Sequence, residues 1–388
     1  MQLFFKKIAV WSRSLYKWIA ALFPLLVAVS LLLASLGWYY PPQIFWPIGV
    51  FALGTVYALP VAFYIFIRQV FARRKWKASV WAVLLLVALP PFTASVTLPW
   101  AGGNFAVERT TGTLRVMQWN CGTLVGNLIS SPEKKLERLK AVQFIQQMQP
   151  DVICMQDYAD VRGKYTRSNH ALLHDTLGYR YAVNDWHFQQ LFSYGVVRHG
   201  TAIYSKLPFV ASGVVPFANR QYPEAIVWAD VLLGQERVRM VTVHFRSINL
   251  NGHNAYKSIP FNKFVQQDSA IVMSRNILNK LIFYQQEHSY QATFLRSFLD
   301  TCSYPVVLAA DLNTAPAQHT YRLARGTLRD DFFGHTTGLA ATFNYLAPNI
   351  RIDYLMSSRL LLCRQWYHHT NGFFDHDPLL ADYVYPAQ

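Results

Sequence analysis

The sequence of 388 residues predicts two regions of different kind, a membrane region followed by an α/β domain of two packed β-sheets with helices outside. The first 100 residues contain nine Lys and Arg residues but no Asp, Glu or His, and most of this region consists of long apolar runs. From residue 114 onward, strand-like and helix-like segments alternate. The strands are too numerous for a single helix-covered sheet, and two packed sheets accommodate them.

The membrane region, residues 1–100, is expected to hold three transmembrane helices. No charged residue occurs between Trp18 and Ile67, and this run is too long for one span because a helix needs about 20 apolar residues to cross a bilayer. The segment GWYYPPQ at 37–43 divides the run, since its two prolines break a helix. A third apolar run starts at Ala78. The predicted spans cover about 18–38, 45–67 and 78–99.

The cations of this region predict its orientation. Lys6, Lys7, Arg13 and Lys17 precede the first span, and the basic loop 68–77 follows the second, so both belong on the cytoplasmic side. Three spans then place the second region outside the cytoplasm, which predicts a multi-pass protein of the cytoplasmic (inner) membrane with a periplasmic domain. The alternatives are a cleaved signal peptide, which usually has a shorter apolar stretch, and three buried helices of a soluble protein, which seldom lack acidic residues altogether.

A short polar linker, residues 101–113, leads to the predicted domain, residues 114–388. Subtracting the nine basic residues of the first region from the 36 of the chain leaves 27 against 21 acidic residues, so residues 101–388 have a net charge of +6. Their Lys and Arg residues are scattered rather than grouped in the basic track that nucleic-acid binding requires. The four cysteines show no CxxC or zinc-like spacing, which leaves buried thiols and a disulfide as alternatives.

The elements of the domain follow from the pattern of apolar residues. Strand 114–120 precedes a helix that begins at Ser131-Pro132-Glu133, which supply a cap, a first-turn proline and an early acid. A long helical region is expected at 261–300. The segments 184–199 and 246–264, rich in aromatic, amide and His residues, are expected to be loops that rim a cleft. Further strands are predicted at 151–156, 200–205, 208–215, 226–233, 237–245, 305–310, 351–357, 361–367 and 379–384.

Polar side chains follow several of these strands at the point where each one ends. In PVVLAADLNTAP, residues 305–316, an apolar strand ends at Asp311 and Asn313, which point the same way if the chain stays extended. Any one such residue can simply start a turn, but together they predict a site at one edge of the sheets. The other residues of this kind are Asn120, Gln156, Asp157, His244, Arg246, Ser247, Asp353, Asp375, His376 and Asp377.

Taken in order, these segments make the chain resemble the endonuclease/exonuclease/phosphatase superfamily, the group with the fold of pancreatic deoxyribonuclease. The resemblance covers about 112–385 and implies a four-layer α/β sandwich, in which two packed mixed β-sheets are flanked by helices. Seven motifs carry it: WN at 119–120, PDVICMQD at 150–157, GTAIYSKLP at 200–208, HFRS at 244–247, ADLNTAP at 310–316, RIDYL at 351–355 and FDHDPL at 374–379.

The resemblance implies a metal-dependent phosphoric ester hydrolase, and the residue types agree with it. Asn120, Asp157 and Asp375 would supply oxygen ligands, the kind that Mg²⁺ prefers, with Mn²⁺ as an alternative ion. The chain has no Cys/His cluster that argues for zinc. Asp311 would orient or deprotonate the attacking water, and Asn313 would hold a phosphate oxygen beside it.

Two histidines complete the implied catalytic group. His376 would donate a hydrogen bond to the phosphate as negative charge develops, and Asp353 would fix its tautomer. His244 would be a second donor or the acid for the leaving oxygen. The residues expected to bind substrate are Arg246, Ser205 and Lys206.

The sequence departs from the motifs of the family at several positions. Asp157 stands where a metal-binding Glu is usual, one methylene shorter, so contact with an ion needs the ion to shift or a water to intervene. Arg246 stands where a polar amide is common and adds a cation for a further phosphate charge. Phe374 replaces a serine, and Ala310 and Leu312 replace Gly and Phe, changes that remove a local hydrogen bond and alter packing.

The leading hypothesis is therefore a membrane-anchored, Mg²⁺-dependent phosphoesterase that acts on a phosphodiester or phosphomonoester. Tethering to a lipid bilayer by three helices slightly favours a lipid head group as the substrate. The first alternative is an extracytoplasmic DNA or RNA endonuclease, and the second is a non-catalytic binding module on the same fold. No protein partner is inferred from the sequence.

Overall fold

A computed structural model describes residues 22–97, 105–109, 111–122, 124, 132–163, 168–192, 195–217, 224–247, 277–344, 350–370 and 375–385. The chain divides into two compact units, Met1–Val96 with Pro316–Arg322 and Thr97–Ala315 with Leu323–Gln388. Several predicted features lie wholly or partly outside the described residues: the cations before residue 18, 18–21 of the first span, 98–99 of the third, 101–104 and 110 of the linker, Ser131, 193–194, 248–276 of the loop and helix before residue 277, Phe374, and 386–388.

The first unit contains four helices among the residues that are described. They are α1 Leu22–Tyr39, α2 Pro47–Ala52, α3 Thr55–Phe71 and α4 Lys75–Ser95. By length and composition, α1 with 18 residues and α4 with 21 could each cross a membrane, and α1 also fits a signal sequence.

The prediction of a single span over 45–67 is wrong. The chain there forms α2 and α3, with a break at Leu53 and Gly54, and α3 has 17 residues. Glycine has the lowest helix propensity after proline, which explains the position of the break. The Thr55 hydroxyl donates to the carbonyl oxygen of Ala52 across it, at 2.8 Å. Within the described residues 22–97, two helices of at least 18 residues are therefore present where three spans were expected.

Apolar side chains lie on the outside of this unit as well as between its helices. Leu31, Ala62 and Trp81 belong to a buried cluster between α1, α3 and α4. Other large apolar residues, among them Phe23 and Leu86, are exposed. A helix that is apolar on all sides is typical of a membrane span or of the core of a large protein.

The second unit contains two six-stranded mixed sheets in the described residues. The strand order is β11-β12-β1-β2-β4-β3 in the first sheet and β5-β6-β7-β8-β10-β9 in the second. The pairs β1/β2 and β7/β8 are parallel, and the other recorded pairs are antiparallel. The strands are β1 Leu114–Asn120, β2 Val152–Arg162, β3 Tyr181–Phe192, β4 Gly195–Ser205, β5 Ala211–Pro216, β6 Ala225–Leu233, β7 Glu236–His244, β8 Val306–Asp311, β9 Arg329–Asp330, β10 Asp353–Ser357, β11 Leu362–His368 and β12 Leu379–Val384.

Helices cover the outer faces of both sheets. The helix α5, Pro132–Met148, packs on the first sheet through Phe144 and Ile145, and α7, Ile277–Asp300, packs beside the second through Phe294. The inner faces meet in one apolar core that includes Val116, Val152, Ile203, Met240, Val307 and Leu355. The predicted arrangement of two mixed sheets flanked by helices is confirmed. The shorter helices are α6 Asn169–Ala171 and α8 His319–Arg325.

In the second unit each predicted strand overlaps an observed one, but one segment predicted to be a loop forms a hairpin, and β9, α6 and α8 were not predicted. Strand β1 has the predicted bounds, 114–120. The segment 184–199, expected to be a loop, instead forms most of β3 and the start of β4. β3 is the edge strand of its sheet, and its side chains are mostly half-buried. An edge strand of this kind mixes polar and aromatic residues, so it lacks the continuous apolar run of a central strand.

Candidate active site

The alternation of side chains along the strands brings polar residues to one place. Residues of each strand that face the core between the sheets recur at every second position. In β1, β7, β8 and β10 this inward series ends with a polar side chain at the same edge of the sandwich. The inward positions are 116, 118 and 120 in β1; 240, 242 and 244 in β7; 307, 309 and 311 in β8; and 353 and 355 in β10.

Asn120 links the two sheets at this edge. Its Nδ2 donates to Oδ2 of Asp311 at 2.9 Å and lies 3.4 Å from Oδ2 of Asp157. Its Oδ1 accepts from the backbone N–H of Gly122 at 3.2 Å, which fixes the orientation of the amide. Asp375 lies beside it, because a Cβ added at Gly122 would be 3.3 Å from Oδ1 of Asp375. Of the three predicted ligands, Asn120 therefore contacts Asp157, and Asp375 lies next to the turn at Gly122 that follows Asn120.

Asp311, Asp353 and His376 form a buried acidic pair with one imidazole. Asp353 lies directly opposite Asp311 in the antiparallel β8/β10 pair. Nδ1 of His376 is 2.9 Å from Oδ2 of Asp353 and 3.7 Å from Oδ2 of Asp311. Gln118 donates to the other oxygen of Asp353 at 2.9 Å. This geometry matches the predicted role of Asp353 in orienting His376.

The charges of this group act on one another strongly. Burial and the neighbouring Asp353 raise the pKa of Asp311 above its ordinary value. Burial lowers the pKa of His376, but the attraction of Asp353 and Asp311 outweighs it and raises that pKa to about 10. His376 is therefore an imidazolium at neutral pH, with Nδ1–H directed at Asp353 and Nε2–H as a second donor.

Asp157 reaches the site through an irregularity in β2. The β2/β4 register shifts between Met155 and Tyr158, and Asp157 has a φ of +48°, in the left-handed region. A bulge of this kind bends a strand and redirects a side chain. As a result, Oδ1 of Asp157 lies 3.5 Å from Nδ1 of His244 and 3.4 Å from Nε2 of His199.

His244 and Asn313 complete the predicted catalytic group. His244 is level with Asp311 in the parallel β7/β8 pair, with Nε2 3.6 Å from Oδ2 of Asp311. Burial lowers the pKa of His244, but Asp157 and Asp311 outweigh burial and raise it. β8 ends at Asp311, so the chain does not stay extended as far as Asn313. Asn313 lies in a turn with φ +46°, donates its N–H to Oδ1 of Asp311 and is still held at the strand tip.

The recorded contacts of two of the three predicted substrate-binding residues, Arg246 and Ser205, are with groups outside the cluster described above, and the third, Lys206, follows Ser205. The Arg246 guanidinium lies over the rings of Phe283 and Tyr284 in α7, at 5.5 and 5.6 Å. Ser205 closes a tight turn by exchanging hydrogen bonds with the backbone of Leu207. It is paired with Val152 at the start of β2, five residues before Asp157, and Lys206 follows it. Because β2 is extended, Ser205 and Lys206 lie at the opposite end of the sheet, and the structure does not bring them to the site.

Sequence reasoning missed two histidines that the structure places beside Asp157. His199 in β4 and His187 in β3 belong to the segment 184–199, which was predicted to be a loop. The available signal was the concentration of His and amide residues in that segment. The pairing of β3 with β4, which aligns the two side chains, was not readable from the sequence.

The donor set fits a hard divalent cation. Asn120, Asp157 and Asp375 offer oxygen atoms, as Mg²⁺ prefers. A second group also brings one potential ligand atom from each of its members within 4.8 Å of the others; it consists of Asp311, Asp353 and His376. In that group Nδ1 of His376 is already in hydrogen-bond contact with Asp353. The oxygen set is therefore the better candidate, and the second group is better suited to proton transfer.

The sequence match agrees with this architecture. Residues 117–373, more than half of the chain, match the Endonuclease/Exonuclease/phosphatase family. This chain belongs to that family. Members of the family are hydrolases that act on phosphoesters. No curated protein matches the chain in sequence.

Solved structures with a similar fold come from several organisms. The human Nocturnin catalytic domain with bound sulfate has 15% identity over 70% of this chain and 93% of that chain, with a TM-score of 0.48. Sphingomyelinase C from Streptomyces griseocarneus has 17% identity over 70% and 99%, with a TM-score of 0.43. A mannosyl-6-phosphatase from Bacteroides thetaiotaomicron has 14% identity over 70% and 99%, with a TM-score of 0.44. Likeness at this level concerns the fold and does not extend to substrate.

Proposed function

We propose that this chain is a membrane-anchored, Mg²⁺-dependent phosphoesterase that hydrolyses a phosphodiester or phosphomonoester by attack of water. The observation that carries the proposal is the meeting of amide, carboxylate and imidazole side chains from both sheets at one edge of the sandwich. Asn120 joins the sheets by its 2.9 Å hydrogen bond to Asp311, and His376 joins Asp353 at 2.9 Å. A lipid head group is the substrate class that we favour because the domain follows apolar helices.

The cation would be held by Asn120, Asp157 and Asp375. When bound, Mg²⁺ supplies positive charge that neutralises a phosphate oxygen and orients the phosphate. Mn²⁺, which accepts the same oxygen ligands, is the alternative ion. The amide of Asn120 is already oriented by Gly122 and Asp311, so little of its freedom is lost on binding.

Asp311 is the residue that takes the proton of the attacking water. Oδ2 of Asp311 accepts from Asn120 and Oδ1 accepts from the backbone N–H of Asn313, so the carboxylate is held in one orientation. A fixed acceptor of this kind positions a water for in-line attack. Asn313 lies in the next turn, and its side-chain amide donates to the carbonyl oxygen of Phe245 at 2.9 Å, which secures the side chain beside that water.

The two histidines of the site stabilise charge on the phosphate. His376 is an imidazolium whose Nδ1–H is directed at Asp353, so its Nε2–H is the donor for a phosphate oxygen. Donors that are fixed before the reaction stabilise developing negative charge without reorganisation. His244, 3.6 Å from Asp311, is the candidate acid for the leaving oxygen.

Membrane attachment is supported by the first unit. Its helices α1 and α4 are long and apolar enough to cross a bilayer, and large apolar side chains such as Phe23 and Leu86 are exposed along them. Arg73 and Arg74 between α3 and α4, with Lys75 and Lys77 in the first turn of α4, supply cations suited to the cytoplasmic surface. We propose that α4 crosses the bilayer from this basic end, which places the phosphoesterase domain in the periplasm.

The test is turnover by the full-length protein in detergent with Mg²⁺. Chromogenic phosphodiesters and phosphomonoesters, plasmid DNA, RNA and phospholipid vesicles are offered in parallel. We expect hydrolysis that a chelator abolishes and that falls by about a thousandfold or more in Asp311→Ala and His376→Ala. Asp300→Ala, which removes an exposed carboxylate at the end of α7, is the matched control and should retain full activity.

The outcomes separate the candidate functions. Cleavage of lipid vesicles supports the favoured substrate class, and cleavage of nucleic acid alone makes the protein a nuclease. Turnover that survives Asp311→Ala would show that another site is responsible. Lack of turnover on every substrate with Mg²⁺ and with Mn²⁺ would overturn the hydrolase proposal in favour of a binding module.

A further inference from the structure

His199 stands at a contact that the mechanism above does not use. It is buried in β4, with 2% of its surface exposed, and its Nε2 lies 3.4 Å from Oδ1 of Asp157. On the other side of the ring, Nδ1 lies 3.2 Å from Nε2 of His187 in β3. Asp185 follows, with Oδ2 3.9 Å from Nδ1 of His187, beyond hydrogen-bond distance. A line of two imidazoles thus ends on a predicted metal ligand.

The sheet is built to make this contact. β4 lies between β2 and β3, and each of these neighbours has a register shift close to His199: Met155/Tyr158 in β2 and Asp185/Phe188 in β3. His199 pairs with Phe188, the first residue beyond the irregularity in β3, and with Ala159, the second residue beyond the one in β2. Two bulges beside the same short stretch of β4 redirect side chains toward it from both sides.

Gly200 allows the close approach of β3. A Cβ at this position would lie 1.7 Å from the carbonyl oxygen of Asp185, a backbone atom that cannot move aside alone. The absence of a side chain at Gly200 therefore lets the bulged stretch of β3 press against β4. This approach brings His187 into contact with His199.

The contacts divide the two oxygens of Asp157 between different neighbours. Oδ1 faces Nε2 of His199 and Nδ1 of His244, at 3.4 and 3.5 Å. Oδ2 faces Nδ2 of Asn120 at 3.4 Å, on the side of the predicted cation site. An aspartate held at one oxygen presents the other in a defined direction. Such orientation matters here because Asp157 is one methylene shorter than the Glu usual at this position.

We propose that His199 is a positioning residue, whose Nε2–H holds Oδ1 of Asp157 so that Oδ2 is presented to a divalent cation, and that His187 fixes the tautomer of His199. The inference rests on the proposed function in that Asp157 is taken to be a metal ligand. The 3.4 Å between Nε2 and Oδ1 is slightly longer than an ordinary hydrogen bond, so the two groups would have to draw together when the cation binds. Groups that hydrogen-bond to a ligand rather than to the metal typically change metal affinity by about 10- to 100-fold when removed.

The contacts of the His199 ring bear on its tautomer. A neutral imidazole carries one N–H, on either Nδ1 or Nε2. If His187 donates from Nε2 to Nδ1 of His199, that N–H must be on Nε2, where it faces the carboxylate.

The first test measures Mg²⁺ binding, independently of activity, through the rise in melting temperature of the full-length protein in detergent. A ligand that binds the folded state raises stability with its concentration, so the midpoint reports affinity. We expect His199→Leu to raise the Mg²⁺ midpoint by about 10-fold or more. His199→Gln should restore it to within about threefold, because the glutamine nitrogen occupies the position of Nε2, whereas His199→Asn, whose nitrogen lies nearer Nδ1, should not.

Two controls separate positioning from a general effect on folding. His335→Leu removes a ring that contacts the backbone oxygens of Asp331 and Cys363, and it should leave the Mg²⁺ midpoint unchanged. His187→Phe should raise the midpoint less than His199→Leu does, because it acts through His199. An unchanged midpoint in His199→Leu, or equal losses in the Leu and Gln variants, would overturn the inference.

A second measurement tests the position of His199 without metal, by NMR of ¹⁵N-labelled histidine. It is needed if the melting temperature of the wild-type protein does not respond to Mg²⁺ or Mn²⁺, because that lack of response would contradict the proposed function but would not test the geometry of His199. We expect the neutral ring of His199 to carry its hydrogen on Nε2, and to lose this single tautomer in Asp157→Ala. Protonation at Nδ1 in the wild type would overturn the inference whatever the metal dependence.

Discussion

The two ends of the phosphoesterase-like domain treat buried aspartates in different ways. Near the start of β1, Arg115 binds Asp382 through two hydrogen bonds of 2.7 and 2.8 Å, and both side chains are about 1% exposed. In β7, Arg239 binds Asp230. In each strand a residue of the candidate active site follows five positions later. We call this region, with Arg329 and its partner Asp331, the arginine end.

At the other end the carboxylates have different neighbours. Among the residues that the structure describes, the ion-pair partners of Asp311 and Asp353 are histidines, and their further contacts are the amides of Asn120 and Gln118. Asp311 and Asp353 also face each other directly across two strands. Negative charge is compensated by fixed guanidinium groups at the arginine end and only in part at the site.

This difference separates two uses of a buried acid. A carboxylate that is fully paired with arginine contributes to the fold, and breaking such a pair is strongly destabilising. A group of carboxylates with incomplete compensation costs stability but attracts a cation, and it can accept a proton. We therefore expect substitutions of aspartate at the two ends to have opposite consequences for activity and stability.

The largest effect is expected for the activity of Asp311→Asn. The amide keeps the shape of the side chain but cannot take a proton from water, so kcat should fall by about 10³- to 10⁴-fold. Single-turnover assays with a chromogenic phosphodiester measure it. Activity within about tenfold of wild type would exclude Asp311 as the base. It would also show that the aspartates at the site do not differ from those at the arginine end in their importance for activity.

The next effect is expected for the stability of Asp382→Asn at the arginine end. The substitution leaves the guanidinium of Arg115 buried without its charged partner, which should lower the free energy of unfolding by about 3 kcal/mol. Denaturant unfolding measures the change, and activity per folded molecule should be retained. The double variant Arg115→Met/Asp382→Leu is the control, because replacement of both charges by apolar side chains should recover much of the loss.

A smaller effect is expected from pH, through a buried histidine next to the site. Burial lowers the pKa of His288 to about 4, and the nearby His244 and Arg246 add to the lowering; its Nε2 contacts the carbonyl oxygen of Arg246 at 2.6 Å. The unfolded chain, with a histidine pKa near 6.5, binds more protons between those two values. Stability from His288 is therefore complete above pH 6.5 and is lost as the pH falls toward 4.

The expected loss over this range is of the order of 2 kcal/mol. It is measured by denaturant unfolding at several pH values in wild type and in His288→Gln, which cannot gain a proton and can still donate to the backbone. The variant should show a flatter profile between pH 4 and 6.5. Profiles of equal slope would show that His288 does not contribute to the acid sensitivity of the domain.

The smallest effect is expected for the stability of Asp311→Asn. Burial and Asp353 raise the pKa of Asp311, so the charged form is disfavoured in the folded state at neutral pH. Removing that charge relieves its burial, but the new NH2 group faces one of the two donors that Asp311 accepts from, Asn120 and the backbone N–H of Asn313. The two effects oppose each other, so the free energy of unfolding should change by less than about 1 kcal/mol, although activity is lost. Calorimetry in the absence of divalent metal tests the size of the change. A loss close to that of Asp382→Asn would mean that the site carboxylates are as well compensated as those at the arginine end.

The sequence was sufficient for the parts of the fold that depend on periodicity. The bounds of β1 and the position of Asp311 at the end of β8 follow from apolar runs that terminate in polar residues. The convergence of Asn120, Asp311 and Asp353 follows from the same alternation, because each occupies an inward position at a strand tip. Long, regular and central strands leave this pattern in the sequence.

The sequence was not sufficient where the chain departs from regular geometry. The bulges in β2 and β3 shift the direction of side chains by one residue, and no periodic pattern predicts where such a shift occurs. His187 and His199 were missed for this reason. Ser205 was placed at the site because its motif was read without the direction of β4, which carries it to the far end of the sheet. The break at Gly54 likewise depends on a local preference within an otherwise uniform apolar run.

Buried amides fasten the two sheets to each other behind the site. Gln156 in the first sheet donates to the hydroxyl of Thr242 in the second at 2.7 Å, and Gln118 reaches Asp353 across the same gap. Hydrogen bonds have a preferred direction, so in an otherwise apolar interface they resist sliding of one sheet over the other. The two sheets therefore form a rigid base for the site, and selection among ligands depends on the loops that follow the strands. Such loops can change in sequence without altering the catalytic residues at the strand ends.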